Sequence, residues 1–385
     1  MSSTAARFLL ATSASLAVIL IVWQWSATVS AAERSVTALD LTAAVQPDPE
    51  GRLKQKRAKP PAREVKGLYL TAQSAANQAK RDEIIDLVNR TELNAVVIDI
   101  KDYSGKILYD SDLDMVERYG TESIVIKDLQ SVIKKLHENG IYVIARQTVF
   151  QDPRLAERYP EVAIRNTAGG IWRDRSGLAW VDPANEEVWG YNAAIASEAI
   201  RLGFDEINFD YVRFPSDGDL SRAVFTNGAR PNYEVLHDFF RFLNQKLSPK
   251  PAWISIDMFG FVMESHDGLA IGQRLSDALD EVDYISPMIY PSHYPAGYLG
   301  LKNPAAAPGT VIEHSLEKGL PHFVGRRAQA RPWLQAFHLG AYYDAAKIRA
   351  QIDAVESRTT AGWLLWNAAN RYSDAGLKLE PAAEN

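Results

Sequence analysis

From position 65 onward the chain alternates strand-like and helix-like segments, and this alternation limits the possible folds more than any other feature. Strand patterns are expected at 65–71, 95–101, 142–148, 206–212, 253–259, 284–290, 332–337 and 363–367. Amphipathic helix patterns lie between them at 80–90, 126–138, 186–201, 233–246, 271–281, 311–318 and 345–357. Gly140, Gly203 and Gly362 stand where a helix would stop and the next strand begin. Eight strands alternating with helices predict an α/β chain folded as a (β/α)8 TIM barrel. The competing architecture is a doubly wound open sheet. Its nucleotide-binding form needs a Gly-rich phosphate fingerprint after the first strand, and this sequence has none there.

The fourth strand carries the most chemistry. In GFDEINFDYVRFP (203–215), alternation puts Glu206, Asn208 and Asp210 on one face and Ile207, Phe209 and Tyr211 on the other. Polar groups on one face of an otherwise apolar strand are costly to bury unless that face lines a site. A half-exposed edge strand is the plainer alternative.

Barrel enzymes set their working groups at the C-terminal ends of the strands. Those ends offer Asp99, Lys101 and Asp102 on the second strand, then Arg146, Gln147 and Asp152 at the third. Asp210 and Arg213 follow at the fourth, Asp257 at the fifth, Tyr290 and His293 at the sixth. Trp333 and Gln335 come from the seventh, and Trp366 and Asn367 from the eighth. Breaking a glycosidic bond takes one carboxylic acid to protonate the leaving oxygen and a second carboxylate to attack the anomeric carbon or activate water. Asp210 and Asp257, on neighbouring strands, are the expected catalytic pair. Asp99, Lys101, Arg146, Arg213, Tyr290, His293, Trp333, Gln335, Trp366 and Asn367 are the expected substrate-binding set. Trp172 and Trp180 are further candidate sugar platforms. The alternative is a structural network in which Lys101 and Arg213 simply pair with the acids.

Composition narrows the remaining chemistry. The 385 residues include no cysteine, so disulfides, thiolate metal sites and cysteine nucleophiles are excluded. Seven scattered histidines show no HxH or HxxxH spacing, and no GxSxG elbow occurs. No cofactor or metal is expected, although an oxygen-ligand site among aspartates stays open at this point. A net charge of −6 gives no indication of nucleic-acid binding.

The first 32 residues read as a signal peptide or membrane anchor. Arg7 precedes an apolar run from Phe8 to Trp25, and the small residues Ala27, Ser30, Ala31 and Ala32 follow. Export is therefore expected, to the periplasm, the exterior or an outward-facing membrane anchorage. Residues 33–64 read as a disordered basic linker stiffened by Pro60 and Pro61, able to act as a spacer or to touch anionic lipid or wall polymer. The barrel is expected over 65–375, with a tail at 376–385.

Several segments resemble a bacterial family of glycosyl hydrolase domains. They are VKGLYLTA (65–72), NAVVIDIKDYSGKI (94–107), 177–218 with its GFDEINFDYVRFPSDG end, DYISPMIYPSHY (283–294), RPWLQAF (331–337) and GWLLWNAANRY (362–372). The resemblance spans most of 65–372. It implies a TIM barrel distantly similar to the α-amylase-like enzymes, acting on a polysaccharide or oligosaccharide. Those enzymes carry a nucleophilic Asp in a segment similar to GFDEINFDYVRF, which points to Asp210. Two departures stand out: Asn208 replaces their Arg, and Asp257 stands where they use a Glu acid/base. A shorter acid widens the gap towards the roughly 6.5–9.5 Å of an inverting pair. The resulting expectation is a hydrolase of envelope or extracellular polysaccharide, with Asp257 as general acid and Asp210 as nucleophile or general base. A non-catalytic glycan-binding barrel and a metal-dependent hydrolase of ester or amide bonds are the alternatives.

Overall fold

The computed structural model describes residues 58–358 and 360–380. The apolar run at 8–25 and most of the basic stretch lie outside them. Among the described residues no helix is long and apolar enough to cross a membrane.

Eight parallel strands form a closed ring: β1 (Val65–Leu70), β2 (Ala95–Lys101), β3 (Tyr142–Thr148), β4 (Glu206–Asp210), β5 (Trp253–Phe259), β6 (Tyr284–Ile289), β7 (Trp333–Gln335) and β8 (Gly362–Trp366). Each pairs with its sequence neighbours, and β8 closes onto β1 through Val65–Gly362 to Leu68–Leu365. Gly362 makes that seam possible. At φ +96° it is in a conformation that favours glycine, and a Cβ there would lie 2.0 Å from the Val65 carbonyl oxygen.

The helices that follow the first seven strands are α1 (Gln78–Asn89), α2 (Leu129–Glu138), α3 (Glu186–Leu202), α4 (Asn232–Leu247), α5 (Leu275–Ala278), α6 (Pro308–Gly319) and α7 (Ala345–Glu356). Their ends follow local chemistry. In α3, Asn185 accepts the Glu187 amide, Glu186 and Glu187 complement the positive N-terminal end, and Gly203 stops the helix one turn before β4. Helix α5 is a single turn where the periodicity predicts about three, because Gly268 and Gly272 adopt positive φ just ahead of it. The expected helix at 126–138 begins at Leu129, since Glu122–Ile126 is a strand in an insertion after β2.

The apolar residues fall into two layers. The larger fills the space between strands and helices and takes the outward faces, including Ile207 and Phe209 of β4. The smaller lies inside the barrel, around Val65, Tyr69, Ala95, Val97, Tyr142, Ile144, Trp333 and Leu364. Each large aliphatic side chain buried in either layer contributes about 1.5–3 kcal/mol.

Both ends of the chain's barrel segment are tied down. Lys59 lies 3.8 Å over the Trp253 ring and pairs with Asp283, while the Trp253 indole donates to the Pro60 carbonyl. The last residues of the stretch read as a linker therefore cover the N-terminal end of the barrel. At the other terminus, Glu92 binds the Lys378 amide, and Leu379 bridges to Thr91.

Candidate active site

The C-terminal ends of β3 to β6 and β8 surround a cavity of about 480 Å³. Its walls include Arg146, Asp210, Tyr211, Arg213, Asp257, Phe259, Tyr290, His293, Tyr294 and Trp366. This is the size range of a small-ligand or sugar-binding cleft.

Asp210 and Asp257 meet here for a topological reason. Strands β4 and β5 pair Asn208 with Ser255 and Phe209 with Ile256. One pleat further along each strand come Asp210 and Asp257, both facing the barrel axis. Neighbouring strands are about 4.8 Å apart, so the two acids belong to one local electrostatic group.

Their surroundings differ. Arg146 donates from Nε (3.1 Å) and Nη2 to one oxygen of Asp210, and the Tyr211 amide donates to the other at 2.6 Å. Arg146 also holds Asp99 at 2.6 Å, and Asp99 takes the Tyr69 hydroxyl at 2.5 Å. Among the described residues Asp257 has no ion-pair partner, and Arg146 acts on it only at longer range. Asn208 and the Trp333 indole both donate to its Oδ1 at 2.8 Å, and no donor to Oδ2 is present among the described residues. Burial, reinforced by the negative charge of Asp210, pushes the Asp257 carboxyl well above the usual carboxylate range. The shift favours the protonated acid, and Oδ2, which takes neither of these hydrogen bonds, is the oxygen that would hold the proton.

The backbone carries strain at the same place. Tyr211 adopts φ 53°, a left-handed conformation that is uncommon for a large side chain and costs about 1–3 kcal/mol. The kink ends β4 directly after Asp210 and turns Tyr211 into the cavity wall. Gln273 fixes the end of β5 by accepting the Phe259 amide and donating to the Asp257 and Val212 carbonyls.

Of the residues selected from sequence, Asp210, Asp257, Arg146, Arg213, Tyr290, His293 and Trp366 line the cavity. Burial lowers the His293 pKa, which favours a neutral imidazole. Asp99 is one contact behind the wall, orienting Arg146. Trp333 is fully buried and acts on Asp257 through its indole N–H instead of offering a platform.

Five residues expected at the site do not line the cavity. Lys101 is sealed behind the barrel wall, 2.7 Å from Asp152 and bonded to the Thr148 carbonyl and Asn192. The cause is a register shift on β2, where Asp99 pairs with Arg146 but Lys101 with Gln147, so strict alternation fails after Asp99. Gln335 is buried and binds the Ser292 amide and the Phe337 and Leu339 carbonyls, which makes it a loop brace. Asn367 braces the next loop through the Ala336 and Arg371 carbonyls. Trp172 is buried, with its indole on the Asp219 carbonyl. Trp180 is also buried but lies beneath Arg213.

Sequence reasoning missed Tyr69, Phe259, Phe261, Tyr294 and Gln273. Tyr69 had a readable signal, since it follows Val65 and Gly67 at period two on the inward face of β1. Phe259 had the same signal, as the last residue of β5 at period two from Ser255 and Asp257; Phe261, Tyr294 and Gln273 lie beyond strand ends, where no periodicity operates. The departure at position 208 also acquires a physical meaning: β3 supplies the guanidinium for Asp210 as Arg146, which frees Asn208 to bind Asp257. Among the described residues no group of three or more His, Cys, Asp or Glu could hold a metal ion.

Comparisons with known proteins bear on the fold and the family. No curated protein sequence matches the chain. A hypothetical protein from Ruminiclostridium thermocellum ATCC 27405 is 37% identical over 49% of this chain and 96% of its own, with a TM-score of 0.47. The glycoside hydrolase domain of PgaB (BpsB) from Bordetella bronchiseptica is 13% identical over 80% of this chain and 95% of its own, with a TM-score of 0.58. An inactive variant of the GH20 exo-β-N-acetylglucosaminidase from Vibrio harveyi is 12% identical over 80% of this chain but only 50% of its own, with a TM-score of 0.51. At such identities the last two likenesses establish the barrel fold. The family described as "Putative glycosyl hydrolase domain" matches residues 67–372, nearly the whole barrel. The chain therefore belongs to this glycosyl hydrolase domain family, a glycosidase class built on a closed eight-stranded barrel.

Proposed function

We propose that the chain cleaves a glycosidic bond in a polysaccharide at the β4–β5 rim, with Asp257 as general acid. Asp210 is the second carboxylate, attacking the anomeric carbon or activating the water that does. The observation that carries this reading is the divergence of two neighbouring carboxyls, one paired with Arg146 and one buried on the neutral donors Asn208 and Trp333. Such divergence divides acid from base within a single site. Tyr290, His293 and Trp366 supply the ring surfaces and polar edges on which a sugar is held. Arg146, oriented by Asp99, fixes the Asp210 carboxylate.

We also propose that the substrate is an envelope or extracellular glycan. The apolar run at 8–25 supports export, and sequencing the N-terminus of the mature protein tests it. The catalytic reading is tested by reducing-end release from a panel of bacterial polysaccharides. Wild type is expected to release ends, and Asp210→Asn and Asp257→Asn to release almost none. A wild type that binds a glycan without cleaving it, with Asp210→Asn binding equally, would replace the enzyme with a glycan-binding barrel.

A further inference from the structure

The cavity holds two arginines in unlike states. Arg146 is shared by two carboxylates. Arg213 lines the same cavity, yet no carboxylate lies within ion-pair distance of it among the described residues. Its hydrogen bonds come from one nitrogen, Nη1, to the Phe214 carbonyl at 3.1 Å and the Ser216 hydroxyl at 3.2 Å. The Trp180, Tyr211 and Phe259 rings surround the guanidinium at 4.9, 5.3 and 5.0 Å from their centroids. Aromatic faces attract a cation but do not neutralise it. Burial disfavours its charged form. Asp210, Asp217 and Asp174 act on it only at longer range. A guanidinium partly removed from water whose hydrogen-bond partners are all neutral is costly, and an anion at its free edge would recover part of that cost.

The free edge has a definite shape. With Nη1 engaged, Nε–H and Nη2–H remain, the side-on pair that Arg146 uses to hold Asp210. This fork matches the two oxygens of a planar carboxylate. The pairing in the cavity also favours an anion. Asp99 and Asp210 are both engaged by Arg146, and Arg213 has no ion-pair partner among the described residues.

We propose that the substrate is an acidic glycan, and that Arg213 grips a carboxylate on a sugar held in this cavity. The inference rests on the glycosidase reading of the site and names its substrate class. The carboxylate belongs to a uronic acid or to a lactyl ether on an amino sugar, since both present the same planar group. Arg213 is then a specificity residue that separates acidic from neutral chains.

The experiment uses the full chain with Asp257→Asn, so that binding is read without turnover. Calorimetric titration would compare four probes: oligogalacturonate, the same oligosaccharide with its carboxyls reduced, a peptide-free glycan strand containing N-acetylmuramic acid, and a sulfated galactan oligosaccharide. One of the two carboxylated probes is expected to bind about tenfold or more tighter than the reduced one, as one charged hydrogen-bonded contact warrants. Which of the two binds identifies the source of the carboxylate. Adding Arg213→Gln should abolish the preference, and Arg213→Lys should restore part of it. Circular dichroism spectra and melting curves of these variants show that each is folded. Equal binding of the carboxylated and reduced probes, preference for the sulfated one, or no binding of either carboxylated probe at millimolar concentration would overturn the proposal. Selective binding of a carboxylated probe that wild type never cleaves would preserve the acidic-glycan assignment and defeat the glycosidase reading. Cleavage of neutral glycans alone would do the reverse.

Discussion

The inside of the barrel contains two polar layers, and only one borders the cavity. At the N-terminal end, Arg331 and Glu206 form an ion pair with neither side chain exposed. Tyr142 and Ser255 donate to Glu206, and the Tyr284 ring lies 4.4 Å beneath the guanidinium. At the C-terminal end, Arg146 faces two carboxylates, a third acid stands beside them without a cation, and a cavity opens above. Both layers are buried and charged, and both come partly from the inward face of β4. The lower layer balances one acid with one base and is covered by Trp253. In the upper layer Arg146 is already shared by two acids, and Asp257 is left without an ion-pair partner among the described residues. Buried charge alone does not identify a site in this molecule. A buried acid left unpaired beside an opening does.

The largest expected effect sharpens that contrast at its upper end. Asp257→Asn preserves shape and removes the proton donor, so the rate of glycan cleavage should fall about 10²–10⁴-fold. The check is steady-state kinetics on the best substrate of the polysaccharide panel.

The lower layer should respond in stability instead. Arg331→Met leaves Glu206 buried and unpaired, and urea unfolding should show a loss of about 3–5 kcal/mol. The double variant Glu206→Gln/Arg331→Met should recover much of it, with turnover per folded molecule unchanged in both. A drop in turnover that survives correction for the unfolded fraction would break the division between the layers.

A smaller effect follows from the raised pKa of Asp257. The folded state holds this proton more tightly than the unfolded chain, so the group lowers stability as pH rises above its unfolded value, about 3.9. Asp257→Asn lacks that term. Its melting temperature should equal that of wild type near pH 3 and exceed it by a few degrees at pH 8, measured by calorimetry. The smallest effect concerns Trp333. Its N–H favours the charged form of Asp257, so Trp333→Phe should raise the acid's pKa further and move the basic limb of the pH–rate profile upward.

Much of this was legible in the sequence because period-two alternation is strict inside a closed barrel. It carried Glu206, Asn208 and Asp210 to one face and brought Asp210 and Asp257 to neighbouring strands. Alternation says nothing about depth, however. Glu206 and Asp210 share a face but serve different layers, separated by where Arg331, just ahead of β7, and Arg146, on β3, enter. Lys101 escaped because a single bulge reverses a side chain without any mark in composition. Tyr294, Gln273 and Phe261 lie in loops, whose course is set by packing between distant segments.

The most direct measurement is the protonation state of Asp257 itself, followed by carboxyl-carbon NMR on aspartate-labelled protein, with Asp257→Asn to assign the signal. The account predicts a carboxyl that titrates well above the usual carboxylate range, and whose titration moves to lower pH when Asp210→Asn removes the neighbouring charge. An Asp257 signal that titrates near pH 4, and does so equally with or without Asp210, would contradict it.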